Sequence, residues 1–197
     1  MPNPPLPARY IAFHAAGGAL LNAALGAAWA LLGILALRPV GMPWAAIAVG
    51  LVTGLLLVLS FRAVQRAGTI DDEEMLPEVA AERTRRAALS HRVLRVEGLA
   101  ITAVSAALVV TQNHTYIAPA TALIVGLHFL ALAPIHRTLG DGVAGALIVA
   151  LSVATILWIP SIPSIHQNAM NIAAGFGTAA VLWGTAIAIL ISARSSD

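Results

Sequence analysis

Six apolar stretches, at approximately 15–37, 43–61, 93–111, 116–134, 142–160 and 170–191, leave this chain little choice of fold. At ~1.5 Å of helical rise per residue, each is long enough to cross a hydrocarbon layer about 30 Å thick. In such a layer every peptide N–H and C=O must find a partner within its own segment, so a run of this length folds as a helix. The expected fold is all-α: a polytopic membrane helical bundle of six transmembrane helices, forming one domain over residues 1–197. Charged residues make up 10% of the chain and hydrophobic ones 59%, with a mean hydropathy of +0.86, which excludes an ordinary soluble domain.

Turn signals separate the runs: Arg38-Pro39 with Gly41-Met42-Pro43, residues 111–115, Leu139-Gly140-Asp141-Gly142, and Pro160-Ser161-Ile162-Pro163. The long connection 62–92 carries Arg62, Arg66, Arg83, Arg85, Arg86 and Arg92, whereas the connections around 112–115 and 161–169 hold no arginine. The positive-inside rule then places the long connection, the 135–141 turn and both termini in the cytoplasm, with Arg38 the one exception. A composition rich in Ala, Gly and Arg and devoid of lysine suggests a bacterial inner-membrane protein. A pI near 9.9 does not imply nucleic acid as a partner, because the arginines sit where topology puts them. The opening "MPNPPLPARYIAFH" is Pro-rich and precedes a long apolar segment, unlike a secretory signal. Its "ARYIAFHAAGG" portion is expected to lie along the interface until Gly17-Gly18 loosens the helix. Strong helix formers after the acidic run, with Glu82 and Arg86 at i,i+4 spacing, predict a helix running directly into the third span.

The absence of cysteine and lysine removes thiolate nucleophiles, Schiff-base chemistry and the P-loop. No HExxH occurs, and His128 and His136 stand eight residues apart with no cysteine nearby, so neither a metal nor any other cofactor is expected. The acidic "DDEEM" at 71–75 is superficially similar to the aspartate-rich diphosphate motif of prenyl-chain enzymes; without a second acidic motif it reads as helix capping and solvation.

Ranking polar residues by distance from the cytoplasmic end groups Asn22, Glu97, His128 and Asp141 in one half of the layer, with Trp29 and Trp183 nearer its middle. Gln112, Asn113, His114, His166, Gln167, Asn168 and Asn171 fall at the opposite face and read as mostly wetted loop. Glu97 is either an interfacial partner of Arg92 and Arg95 or a carboxyl aimed into the bundle that holds and donates a proton. Asp141 is either the N-cap of the fifth span or an anionic base. His128 either hydrogen-bonds across helices, with Asn22 as one partner, or serves a site. Trp44 and Trp158 lie at aromatic-belt depth. Gly50 to Gly54 is a GxxxG, Gly18, Asn22 and Gly26 recur every four residues, and Gly184 precedes Ala188; such faces suit helix packing or self-association.

"GLHFLALAPIHR" together with "LNAALGAAWALLGILAL" resembles a group of small bacterial membrane proteins with Gly-Leu-His-Phe in their fourth span, here Gly126, Leu127, His128 and Phe129. That resemblance implies a fold rather than an activity. By size, helical bundle and a pair of carboxylates, the chain also looks like the small integral membrane terpene cyclases of bacterial and fungal meroterpenoid pathways. This second likeness implies an enzyme that takes a lipophilic prenylated substrate from the membrane. Glu97 would start a proton-initiated cyclisation, and Asp141 or His128 would accept the final proton. Trp29, Trp183 and Phe129 would stabilise the carbocation, and Asn22 would line the substrate cavity. The alternative is a small-solute or proton-coupled transporter in which His128, Asn22 and Glu97 form a relay. Against the transporter stands the lack of a visible internal repeat.

Overall fold

The computed structural model describes residues 8–37, 42–70, 77–136, 138–161 and 168–194. Among them the regular elements are all helical: α1 (Ala8–Ala36), α2 (Met42–Gly68), α3 (Pro77–Val110), α4 (Ile117–His136), α5 (Leu139–Trp158) and α6 (Ala169–Arg194), with two short 3₁₀ turns. All six are long and apolar enough to cross a membrane. The helices extend past several of the apolar runs, because helix propensity does not stop at the edge of hydrocarbon. Thus α1 starts at Ala8 and continues through Gly17-Gly18, so the expected interfacial segment is instead the first turns of the first span. The amphiphilic helix after the long connection is continuous with the third span, as expected, and starts with Pro77, whose missing N–H costs nothing at a first turn. Its Glu82 carboxylate accepts from Arg86 Nε at 2.9 Å.

Packing divides the helices unequally. α1 lies antiparallel along α6, and α4 antiparallel along α5; these two pairs meet in the middle, while α2 flanks α1 and α3 flanks α4. Glycine permits both close crossings. A Cβ on Gly175 would come within 2.6 Å of the Gly33 nitrogen, and a Cβ on Gly145 within 2.7 Å of both the Gly126 oxygen and the Leu130 nitrogen. The GxxxG at Gly50 and Gly54 is different: a Cβ at either position would meet nothing within 4 Å, so among the described residues this stripe packs against no other helix. Gly184 is equally open, whereas Gly26 lies tightly beneath the Trp183 ring.

The central core contains Ala122, Phe129, Ala144, Ile148 and Leu182, with Trp29, Val125 and Val181 packed against it. The outer helices turn apolar side chains outward: Leu51 and Leu55 on α2 are 70% and 60% exposed, Val96 and Leu99 on α3 66% and 72%. Outward-facing leucine and valine on spans of this length are suited to lipid, which solvates them as well as a protein core does. Trp44 and Trp158, at the start of α2 and the end of α5, are exposed at the end of the bundle away from the start of α1, as an aromatic belt requires. Arg38, Arg137, His166, Gln167 and the acidic run 71–75 lie outside the described residues.

Candidate functional site

Two histidines of α4 each face a carboxylate, one on α3 and the other in the first turn of α5, at two levels of the bundle. In the inner pair, His128 Nδ1 lies 2.9 Å from Glu97 Oε2, and both side chains are 13% exposed. The ring N–H does not point along that line, so this is a close polar contact rather than an aligned hydrogen bond. In the outer pair, His136 Nδ1 stands 3.0 Å from Asp141 Oδ2. Seven residues on α3 separate Ser90 from Glu97 and eight on α4 separate His128 from His136, which puts the two levels roughly 10–12 Å apart.

The outer pair belongs to a larger cluster. His136 Nε2 is 3.2 Å from Ser90 Oγ, and the Thr138 hydroxyl donates to Asp141 Oδ2 at 2.5 Å. From α1, the His14 ring meets His136 edge-on with centroids 5.6 Å apart, and Tyr10 meets His14 at 5.8 Å. Arg83 of α3 lies over the Tyr10 ring at 4.9 Å. Ser90 can donate to only one acceptor, and its oxygen is also 3.1 Å from the Arg86 carbonyl. When that carbonyl accepts from Ser90, the Ser90 oxygen is left to accept from the ring; when Ser90 turns, it donates to Nε2. One hydroxyl rotation therefore reverses the direction of the Ser90–His136 contact.

These contacts revise several expectations. Glu97 is paired with His128, not with Arg92 or Arg95; Arg95 Nε donates to the His91 carbonyl. Asp141 is not the N-cap of α5. Thr138 occupies that position in extended conformation and makes no capping bond with its side chain, which Asp141 in the first turn draws to itself. His128 does not pair with Asn22, whose Nδ2 donates to the Gly18 carbonyl of its own helix at 2.9 Å. The carboxylates and histidine expected at one level thus separate into two.

The aromatic residues divide in the same way. Phe129 is edge-on to His128 with centroids 5.9 Å apart and shares a core cluster with Trp29. Trp183 is committed to helix packing: its Nε1 donates to the Ala23 carbonyl at 3.3 Å and its ring covers Gly26. In the Gly126-Leu127-His128-Phe129 segment each residue has its own task. Gly126 admits α5, Leu127 faces outward, His128 reaches Glu97 and Phe129 fills the core.

A second group of polar atoms lies in the other half of the bundle. Asn22 Oδ1, Thr53 Oγ1, Ser60 Oγ and Thr178 Oγ1 are buried without a hydrogen-bond partner, on α1, α2 and α6. Buried orphan acceptors and hydroxyls in native folds point to water or a solute that completes them. Gln112, Asn113 and His114 are exposed at the opposite end, as wetted loop residues should be. Among the described residues, no group of three His, Asp or Glu side chains converges as a metal site would require. No known family model, curated protein or solved structure matches this chain.

Sequence reasoning missed Ser90, His136, Thr138 and His14. The spacing held a signal for the first two. Residues seven or eight apart return to one helix face, so Ser90 with Glu97, and His128 with His136, form two polar stripes on an otherwise apolar seam.

Proposed function

We propose that the protein is a proton-coupled membrane transporter of small solutes, with the end of the bundle that holds both termini facing the cytoplasm. One observation carries this reading. Two acid–imidazole pairs lie two helical turns apart along α4, His128 with Glu97 of α3 and His136 with Asp141 of α5, and the Ser90 hydroxyl of α3 also reaches His136. Intramembrane ionisable residues are costly and usually mark ion or proton pathways. The buried orphan polar atoms on α1, α2 and α6 offer hydrogen-bonding groups to water or a solute beside it. The arginine asymmetry of the connections supports the orientation. The test is reconstitution into proteoliposomes containing a pH-sensitive dye, challenged with a panel of small solutes. Solute-dependent proton movement should appear in the wild type and vanish in Glu97→Gln and His128→Ala. Solute flux that ignores an imposed pH gradient would overturn proton coupling.

A second reading, proton-initiated cyclisation of a prenylated lipid, has one observation in its favour. Phe129 stands edge-on to His128 in the same cluster as Trp29, so aromatic rings lie beside the imidazole that Glu97 contacts. It ranks below the transporter because Trp183 is occupied in packing and Asp141 lies at a different level from Glu97. Its test is native mass spectrometry with lipid extraction: a bound isoprenoid that is converted by wild type and unchanged by Glu97→Gln would support it. Conversion by that variant would remove Glu97 as the acid.

A further inference from the structure

On the opposite flank from the proton seam, the ends of α1, α2 and α6 enclose a pocket of about 300 Å³. Its walls are polar and apolar in about equal measure: Ala12, Ala16, Leu59 and Ile189 supply alkyl surface, and two arginines, Arg62 and Arg66, line the same space. These arginines are four residues apart on α2 and therefore lie on one face, a turn apart. Neither is ion-paired with an acidic side chain among the described residues. Ser60, between the lining residues Leu59 and Arg62 in sequence, is fully buried with its hydroxyl unpartnered. A pocket that is half alkyl and half polar, with two guanidiniums at the end of a membrane span, fits a ligand with an anionic head and an apolar tail. Guanidinium forks match phosphate oxygens in geometry as well as charge, and the end of a span is the depth of lipid headgroups.

We infer that Arg62 and Arg66 form a binding site for the phosphate headgroup of an anionic membrane lipid, whose acyl chain runs along α1 and α6. The site is separate from the proton seam and does not depend on the transport reading. It uses the outward-facing end of α2, the helix whose apolar flank is open to lipid. A zwitterionic lipid carries the same phosphate but brings its own cation, so the pocket discriminates by net headgroup charge.

The experiment is native mass spectrometry of the full chain in detergent, titrated with phosphatidylglycerol or phosphatidylcholine. Wild type should retain phosphatidylglycerol at least tenfold better than phosphatidylcholine, and Arg62→Gln/Arg66→Gln should lose that preference. Arg92→Gln/Arg95→Gln, which removes the same charge from the exposed face of α3, should keep it. Equal loss in both double variants would mean general attraction to basic surface and would overturn the site. Competition identifies the source of the phosphate: dihexanoyl phosphatidic acid should displace bound phosphatidylglycerol where inorganic phosphate does not. Equal displacement by inorganic phosphate would make the ligand a soluble phosphate and overturn the lipid assignment. Asp71, Asp72, Glu73 and Glu74 follow the lining residue Ile70 in sequence. If selective binding were absent in wild type and appeared only when those four were neutralised, the arginines would belong to the acidic run instead. Retained secondary structure by circular dichroism separates a lost site from a lost fold.

Discussion

The Glu97–His128 contact makes a quantitative claim about how α3 is held. Replacing His128 with Leu leaves a carboxyl that is 13% exposed with no partner, and replacing Glu97 with Leu does the same to the imidazole. Breaking a buried ion pair from one side costs about 3–5 kcal/mol when the survivor must stay charged. That range is an upper bound for a pair whose ring N–H is misaligned. Polar contacts between membrane helices couple by about 0.6 kcal/mol on average and up to ~1.7 in double-mutant cycles. A 2.9 Å contact with a misdirected ring N–H should lie between these, near ~1 kcal/mol. The assay is reversible unfolding in mixed micelles of wild type, Glu97→Leu, His128→Leu and the double variant. Each single substitution should destabilise, and the double variant should be more stable than the sum of the two predicts. Additivity within about 0.3 kcal/mol would show that the pair does not interact and would remove the inner level of the proposed proton seam.

Other substitutions test the packing. Gly145→Ala would push a Cβ to 2.7 Å from the backbone of Gly126 and of Leu130, so α4 and α5 must separate at an expected cost of about 1–3 kcal/mol, read by the same unfolding assay. Gly50→Ala and Gly54→Ala, with nothing within 4 Å, should be neutral or slightly stabilising. If the first pair of outcomes were reversed, the crossing would be misassigned. Trp183→Phe should cost about 0.5–1.5 kcal/mol through loss of the 3.3 Å bond to the Ala23 carbonyl, with no effect on proton movement in vesicles. Asp141→Asn keeps a carbonyl acceptor for Thr138 but removes the anion facing His136. Proton movement should slow while the melting temperature changes little; an unchanged rate would exclude the outer pair from the path.

Most of the architecture was legible because hydrocarbon length and backbone satisfaction leave helices as the only solution for such runs. The helix ends were less so: α1 begins at Ala8 and α6 runs to Arg194, since propensity carries a helix beyond its apolar stretch. Depth was readable from sequence, and it correctly put Glu97 and His128 together. Azimuth was not. One residue of rotation is 100°, so position along the chain alone does not tell whether Asn22 faces α4 or its own neighbours. It also does not tell whether Gly50 and Gly54 point at a helix or at lipid. The partition of Asp141 from Glu97 depended on where α5 starts: its first turn lies beside the end of α4, so Asp141 meets His136 instead of Glu97.

That partition matters because of where α3 sits. None of the most apolar stretch of α3 is buried, and its principal packing partner is α4. Lipid competes for leucine and valine as effectively as another helix does, so the polar contacts at Glu97–His128 and Ser90–His136 supply much of what distinguishes a docked α3 from one facing lipid. Proton transfer through the seam must change the charge and hydrogen-bond roles of these same groups. In the proposed transporter, the proton path and the latch that holds α3 are therefore one set of atoms, and a proton can act on the bundle without a separate relay of force. The consequence is measurable. Spin labels at Leu99 and Leu127, both outward-facing, should report an α3–α4 distance distribution that is narrow in wild type and broadens in a His128→Leu/His136→Leu variant. A distribution unchanged by those two substitutions would show that the polar contacts do not hold α3 and would separate the proton path from the latch.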